Sequence, residues 1–332
     1  MIWSDGYTAR YYAEIVDAES WRGIQRIDLT GGNISRSSDG LRGSADLDCR
    51  TVVGEKYIRV WMDTRQGDGG EHVALFTGLT SQPDVEWNGI IPERGLVCYS
   101  VLKAADDVLL RRGWYAPAGI DAGTIIRNLL KTTPAPLVIQ GEPPSLEHSI
   151  VAEDNESCVT MTDKILTAIG WELRILGDGT ILLKQPSDSI AAKFTALDND
   201  VIEPQVKIKR DWYSCPNVMQ VVADDLTAIV RDENPNSFLS VPNRGREVWY
   251  TECNADLNDN ESIGQYAWRR LKEEQSVAYT VSYDRRYDPN VWVGDVVSIN
   301  YPAIGVSGDF RVISQKISLG YNATTSEEVY AM

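Results

Sequence analysis

The chain has 332 residues, 43% of them hydrophobic, and carries 48 acidic against 32 basic side chains for a formal net charge of −16. That length exceeds one comfortable core and sets two or three domains as the expectation, the apolar share is that of a globular protein rather than a disordered one, and the charge argues against a sequence-independent grip on nucleic acid, which needs clustered Lys and Arg. No run approaches the roughly 20 apolar residues of a membrane helix, and the opening Met1-Ile2-Trp3-Ser4-Asp5 has neither region of a signal peptide, so synthesis in a cytoplasm without membrane insertion is expected.

Residues 1–105 read as all-β. Residues 12–16 are extended and 24–29 alternate in polarity, while 33–38 form a polar, Ser-rich run. Residues 41–47 follow, and Tyr57-Ile58-Arg59-Val60-Trp61-Met62-Asp63 alternates cleanly. A Gly-rich turn at 65–70 leads to strands at 73–79 and 96–101. Short strands at close spacing with such turns predict a small β-barrel.

The segment 106–195 changes character to α+β. Asp121 is placed to cap a helix with the apolar stripe Ile125, Ile126, Leu129 and Leu130, stopped by Pro134 and Pro136. A Pro-rich connector at 141–144 follows. A second helix starts near Thr160, carries Met161, Ile165, Leu166 and Ile169, and ends at Gly170. A hairpin then puts Trp171, Leu173 and Ile175 on one face, turns at Gly177-Asp178-Gly179, and returns through Ile181 and Leu183.

Residues 196–332 are β again, with strands at 201–208 and 218–223 and polar text at Asp224-Asp225 and 232–236. A helix over 260–275 has Ile263, Ala267 and Leu271 on one face, with Arg269, Arg270 and Lys272 on its outer sides. Strands at 277–283 and 308–319 flank Asp288-Pro289-Asn290-Val291-Trp292-Val293-Gly294-Asp295, and a last strand lies near 328–330. Pro289 presets its φ and Gly294 admits a positive one, so the segment reads as turn grammar rather than chemistry.

No catalytic motif survives inspection. There is no phosphate-binding Gly-rich loop, no nucleophile elbow and no His-Glu-x-x-His. The five cysteines Cys49, Cys98, Cys158, Cys215 and Cys253 are scattered and predict reduced core thiols rather than a metal site. His72 and His148 both lie in turn-rich text. Asp256-Leu257-Asn258-Asp259-Asn260-Glu261 opens like a calcium loop but lacks its Gly and its final Glu, so Asp259 or Asn260 is expected to cap the following helix. Asp198-Asn199-Asp200 reads as a solvated turn. No catalytic, cofactor-binding or metal residue is assigned. Ten tryptophans and fifteen tyrosines fit barrel cores and subunit interfaces, or a sugar groove, and a pair of carboxylates at glycosidase spacing is not separable from an acidic surface.

Several motifs in sequence resemble the baseplate hub or tail hub proteins of tailed bacteriophages and contractile injection systems. Ala267-Trp268-Arg269-Arg270-Leu271 on a helix, then 277–283, then Pro289 through Gly294-Asp295-Val296-Val297, resembles the C-terminal text of such hubs. Phe310-Arg311-Val312-Ile313-Ser314 fits their next strand. Thr160 to Gly170-Trp171 followed by Gly177-Asp178-Gly179 resembles their middle domain, and Arg210-Asp211-Trp212 ahead of Asn217-Val218-Met219-Gln220-Val221 resembles the start of their second barrel. The resemblance implies a mainly β fold, two small barrels (1–105 and 196–332) flanking the α+β domain 106–195. It implies a non-enzymatic virion protein that forms a homotrimer, a ring of pseudo-sixfold symmetry joining tail tube to tail tip and passing DNA. The implied partners are the tube or distal tail protein, a tip, spike or fibre protein and the tape measure protein. A carboxylate-dependent tail hydrolase and a carbohydrate-binding β-protein are the competing readings. If the Gly294-Asp295 turn is conformational, Gly294→Val should impair folding or assembly; a variant with the wild-type unfolding midpoint would remove the turn from the argument.

Overall fold

The computed structural model describes residues 2–3, 5–49, 54–81, 84–87, 92–195, 206–210, 212–223, 226–253, 262–276, 279–301, 305–320 and 324–332. Asp198-Asn199-Asp200, Asp224-Asp225 and the 256–261 segment lie outside them. The chain is mainly β, as its alternation predicts.

The N-terminal strands are β1 (Thr8–Val16), β2 (Gly23–Ser37), β3 (Gly43–Cys49), β4 (Tyr57–Arg65), β5 (His72–Thr80), β6 (Asp84–Trp87) and β7 (Pro92–Ser100). They pair in the order β1-β4-β5-β7-β3-β2, and β2 pairs back to β1, which closes a ring of six. Ala13, Ile34, Ile58, Val60, Met62 and Leu96 point inward and are fully buried. Each large aliphatic among them stabilises the fold by about 1.5–3 kcal/mol relative to exposure. Residues 24–29 and 33–38, separate in the sequence reading, are one long strand. Its inward set changes from Ile27 to Ile34 and Arg36 across an irregularity between Leu29 and Gly31. At Gly32, with φ +137°, a Cβ would lie 2.5 Å from the Asp46 carbonyl oxygen, so only glycine passes there.

The next elements are α1 (Lys103–Asp106), β8 (Tyr115–Ala116), α2 (Ala122–Leu129), β9 (Leu137–Gln140), β10 (Ile150–Val151), α3 (Cys158–Ile169), β11 (Glu172–Ile175) and β12 (Ile181–Lys184). Asp121 caps α2 as expected, accepting from the Thr124 amide at 2.7 Å. Ser157 caps α3, two residues earlier than its apolar stripe suggests, and Gly170 closes it in the left-handed conformation. The hairpin β11-β12 forms as read. It gains a third strand, β9, parallel to β12 and directly after the helix-stopping prolines. Ile126, Met161, Ile165 and Leu183 are fully buried in the core of this unit.

The remaining elements are β13 (Ile190–Thr195), β14 (Lys207–Arg210), β15 (Val218–Ala223), β16 (Leu226–Arg231), α4 (Val241–Arg244), β17 (Trp249–Cys253), α5 (Ile263–Ser276), β18 (Tyr279–Arg286), β19 (Val296–Tyr301), β20 (Val306–Ser318) and β21 (Thr324–Ala331). Six of them pair in the order β13-β19-β20-β21-β18-β14 around Val281, Val297, Phe310, Val312 and Val329. Between β14 and β18 the chain makes a separate sheet, β16-β15-β17, on which α5 packs through Ala267 and Leu271. The helix begins at Ile263, and the cap visible among the described residues is a reciprocal one. Gln265 N donates to Ser262 Oγ at 3.3 Å, and Ser262 N donates to Gln265 Oε1 at 2.9 Å. Asp259 and Asn260, expected to cap this helix, lie outside the described residues, and the cap that is seen is made by Ser262. Arg270 is not on a solvated outer side either: it reaches Glu252 of β17 at 2.9 Å.

The two six-strand units are fused edge to edge. The second half of β2 pairs antiparallel with the second half of β20, from Asn33 opposite Ser318 to Ser37 opposite Ser314. β20 changes parity to serve both units. Phe310 and Val312 face the second core, a register shift follows between Val312 and Ser314, and then Gln315 and Ile317 face inward, Ile317 in the first core. One extra residue in a strand reverses which face every later side chain occupies. Deleting Ile313 should therefore turn Gln315 and Ile317 outward and abolish the cooperative urea transition of the fused sheets. As a contrast, Gly264 lies in α5 with nothing within 4 Å of a built Cβ, and Gly264→Ala should stabilise by roughly 0.5–1 kcal/mol. A soluble Ile313 deletion with a wild-type midpoint would disprove the parity argument.

Candidate assembly core and surfaces

The seam between the two units holds a buried polar chain. Arg285 on β18 and Glu327 on β21 are 1% and 2% exposed. Arg285 Nη2 meets Glu327 Oε1 at 2.5 Å, and its Nε meets Oε2 at 2.8 Å. Tyr283 Oη donates to Glu327 Oε2 at 2.8 Å, and Gln315 Nε2 donates to Glu327 Oε1 at 2.7 Å and to the Val291 carbonyl at 2.8 Å. The chain then crosses the seam. Arg36 Nη1 donates to Gln315 Oε1 at 3.3 Å, Arg36 Nη2 to the Leu75 carbonyl at 2.6 Å, and its guanidinium lies 3.8 Å above the Trp292 ring. Burial, and then the Glu327 carboxylate, push the Tyr283 hydroxyl well above its ordinary pKa. Nothing in the sequence pattern marks these residues, because in-facing Arg, Gln and Glu break the apolar alternation by which strands are read.

The Gly294-Asp295 turn is a three-way joint. Gly294 has φ +88°, its amide donates to the Val312 carbonyl at 2.8 Å, and its carbonyl accepts from Arg311 at 2.8 Å. A Cβ there would lie 3.1 Å from Glu172 Oε2. Asp295 uses both oxygens: Oδ2 accepts the Trp292 amide at 2.9 Å, closing the turn, and Oδ1 accepts Arg174 Nη2 of β11 at 2.8 Å. The turn is conformational, as the sequence reading holds, but it also fastens the middle hairpin to the second unit.

The other end of that hairpin is fastened to the first ring. Thr77 Oγ1 donates to the Gly177 carbonyl at 2.8 Å, and Arg59 and Trp21 both donate to the Asp178 carbonyl, at 3.0 and 3.1 Å. A Cβ on Gly177 would lie 1.8 Å from the Ala74 carbonyl oxygen, and one on Gly179 2.8 Å from Trp21. The glycines thus serve the docking as well as the turn.

The residues considered for chemistry are dispersed. His72 is stacked on Trp61 at 4.0 Å between centroids, with Nδ1 2.6 Å from Asp63 Oδ1, on the outside of the first ring. His148 is exposed in the loop before β10. Cys49, Cys98, Cys158 and Cys215 are buried and unbridged, as expected, and Cys253 is exposed. Among the described residues no group of three or more His, Cys, Asp or Glu is placed to hold a metal ion. Among the described residues the buried carboxylates each have a partner: Glu327 with Arg285, Glu156 with Lys164 at 3.0 Å, and Asp232 with Ser237 at 2.7 Å and Gln275 at 3.2 Å. Asp232 stood in the sequence as polar loop text; it is fully buried and organises the turn that follows β16.

Two six-strand β-units joined along one pair of strands and braced by a helix–hairpin unit make a fold shared with solved phage tail proteins. The chain is similar to the 43 kDa tail protein of prophage MuSo2 from Shewanella oneidensis, with TM-score 0.71 and 13% identity over 97% of this chain and 98% of that one. It is similar also to a tail protein from Neisseria meningitidis, with TM-score 0.73 and 14% identity over 98% and 97% of the two chains. A type VI secretion component of E. coli described as structurally similar to phage T4 tail proteins aligns with TM-score 0.51 and 8% identity over 96% of this chain and 76% of that one. No protein-family model matches the sequence, and no curated protein sequence does. The fold is therefore the tail-protein fold that the hub resemblance implies.

The seam network makes a quantitative expectation. Arg285→Met leaves a buried carboxylate without its cation and should cost about 3–5 kcal/mol, read as a urea-midpoint shift, whereas Arg285→Met with Glu327→Leu should recover a large part of that loss. A double variant no more stable than Arg285→Met would show that the pair is not coupled in this way.

Proposed function

We propose that this protein is a structural tail protein of the hub type, made in the host cytoplasm and carried in the virion. The observation that supports it most directly is the fusion of two six-strand units in one chain, in a fold shared with phage tail proteins. Three copies of a chain with two such units present six similar docking surfaces, which reconciles a sixfold tube with a threefold tip. In this reading residues 1–105 and 196–332, with strand β13 (Ile190–Thr195) added to the second unit, form the ring, 212–276 is an inserted lobe, and the rest of 106–195 braces it. The ring joins the tail tube or distal tail protein to a tip, spike or fibre protein, adjoins the tape measure protein, and passes DNA without binding it. The net charge of −16 suits a wall that repels phosphate. The role is assembly, not catalysis, and the partnered carboxylates support it over a two-carboxylate hydrolase.

Light scattering after size exclusion tests the reading, on the protein alone and mixed with the tube protein of the same tail. A trimer in either sample, with acidic side chains on the wall of its channel, is the expected outcome. A monomer in both that degrades peptidoglycan, or a trimer with a basic channel wall, would overturn it.

A further inference from the structure

The middle unit carries an apolar cleft that neither sheet covers. Its volume is about 440 Å³, and its lining includes Val108, Leu110, Trp114, Ile120, Ile125 and Leu129. Of these, Ile120 and Val108 are 43% and 38% exposed. The size lies in the range of ligand-binding clefts, roughly 300–1,000 Å³, and holds one large or two medium apolar side chains.

The walls are built in advance. Leu110 N donates to the Glu156 carbonyl at 2.8 Å and Cys158 N to the Val108 carbonyl at 3.0 Å, which ties one wall to the start of α3. Ala152 N donates to the Trp114 carbonyl at 3.0 Å, and Leu146 N to the Ile120 carbonyl at 3.0 Å. A cleft held this way loses little conformational entropy when it is filled.

Charge says what fills it. Between Val108 and Thr132 the chain has four cations, Arg111, Arg112, Arg127 and Lys131, and one carboxylate, Asp121, although the whole protein is strongly acidic. Lys131 lines the cleft, and Arg127 lies one helical turn before it on the exposed side of α2. The nearby carboxylates are engaged. Asp121 caps α2, Asp107 is paired with Lys103, Glu156 with Lys164, and Asp154 stands 3.7 Å from Arg112. An apolar cleft with Lys131 in its lining and the exposed Arg127 one turn away is complementary to apolar side chains flanked by carboxylates.

We propose that this cleft docks an acidic amphipathic segment of a partner polypeptide, its apolar side chains seated over Trp114 and Ile120 and its carboxylates facing Arg127 and Lys131. The docking does not depend on the trimeric ring, and its test is separate from the oligomer measurement.

The probe is a fluorescein-labelled peptide of about 12 residues with two Leu four positions apart and Glu elsewhere. It is compared with the same peptide carrying Lys for Glu, and with one carrying Ala for Leu, by fluorescence anisotropy on the full chain. Non-specific attraction to a protein of charge −16 favours the Lys peptide, so the expected tenfold or greater preference for the acidic peptide is diagnostic of the cleft. Ile120→Asp should weaken the acidic peptide about tenfold. Arg127→Glu with Lys131→Glu, both exposed, should invert the preference toward the Lys peptide while leaving a single cooperative thermal transition. Three results overturn the proposal: equal or tighter binding of the Lys peptide to the wild type, no binding of the acidic peptide up to about 1 mM, or an unchanged preference in the charge-reversed protein.

Discussion

Arg285 and Glu327 are both buried, and neither tolerates the loss of the other. Taking two charges from water costs several kcal/mol per ion, and their attraction offsets this only when the remaining donors and acceptors are satisfied. Here they are: Tyr283 and Gln315 donate to the carboxylate, and Arg285 Nη1 donates to the Arg286 carbonyl at 2.7 Å. Gln315 then connects the pair to Arg36, whose far side holds the Leu75 carbonyl of the first ring. Apolar contact alone would let the two units slide at their shared edge. A polar chain with one satisfied arrangement does not, because every other register strands a buried charge.

That constraint acts on strands whose faces are set by bulges. β20 serves the second core through Phe310 and Val312 and the first through Ile317, and the parity change between them puts Gln315 beside Arg36 and Glu327. β2 makes the matching change past Gly31 and Gly32. Each shared strand thus carries an irregularity just before its seam segment, and each places its buried polar residue on the seam side of it. The position of one residue in each strand fixes the relation of two whole sheets.

These features divide what was legible in the sequence from what was not. Strands β4 and β5, helices α2 and α3 and the β11-β12 hairpin were readable because their apolar period is regular and their caps and turns are local. Strand β2 was not readable as one element, since Gly31-Gly32 and the serines interrupt the alternation and an arginine occupies an inward position. Strand β13 pairs with β19, a hundred residues further along the chain, and its short Ile190–Thr195 text has no local signal of that partner. Of the sheet β16-β15-β17 only β15 was readable, because β16 and β17 are largely exposed and lack a two-sided apolar pattern. At the joint, Gly294-Asp295 was plain as a turn. Its partner Arg174 lies 121 residues away, and no spacing rule connects them.

The middle hairpin follows from the same economy of contacts. Its tip enters the first ring through Gly177, which lets backbone approach the Ala74 backbone, and Gly179, which leaves room for the Trp21 and Thr77 side chains, and its base meets the second unit through Arg174 and Asp295. It therefore spans the seam from outside while the Arg36–Gln315–Glu327 chain spans it from within. Two separate fastenings resist rotation as well as sliding, which one line of strand pairing does not. Rotation between the two units would make their outer surfaces inequivalent in each copy. The proposed ring with six similar docking surfaces needs that angle held, and in this chain the residues that hold it are internal, leaving the cleft of the middle unit and the outer faces of the sheets for other contacts.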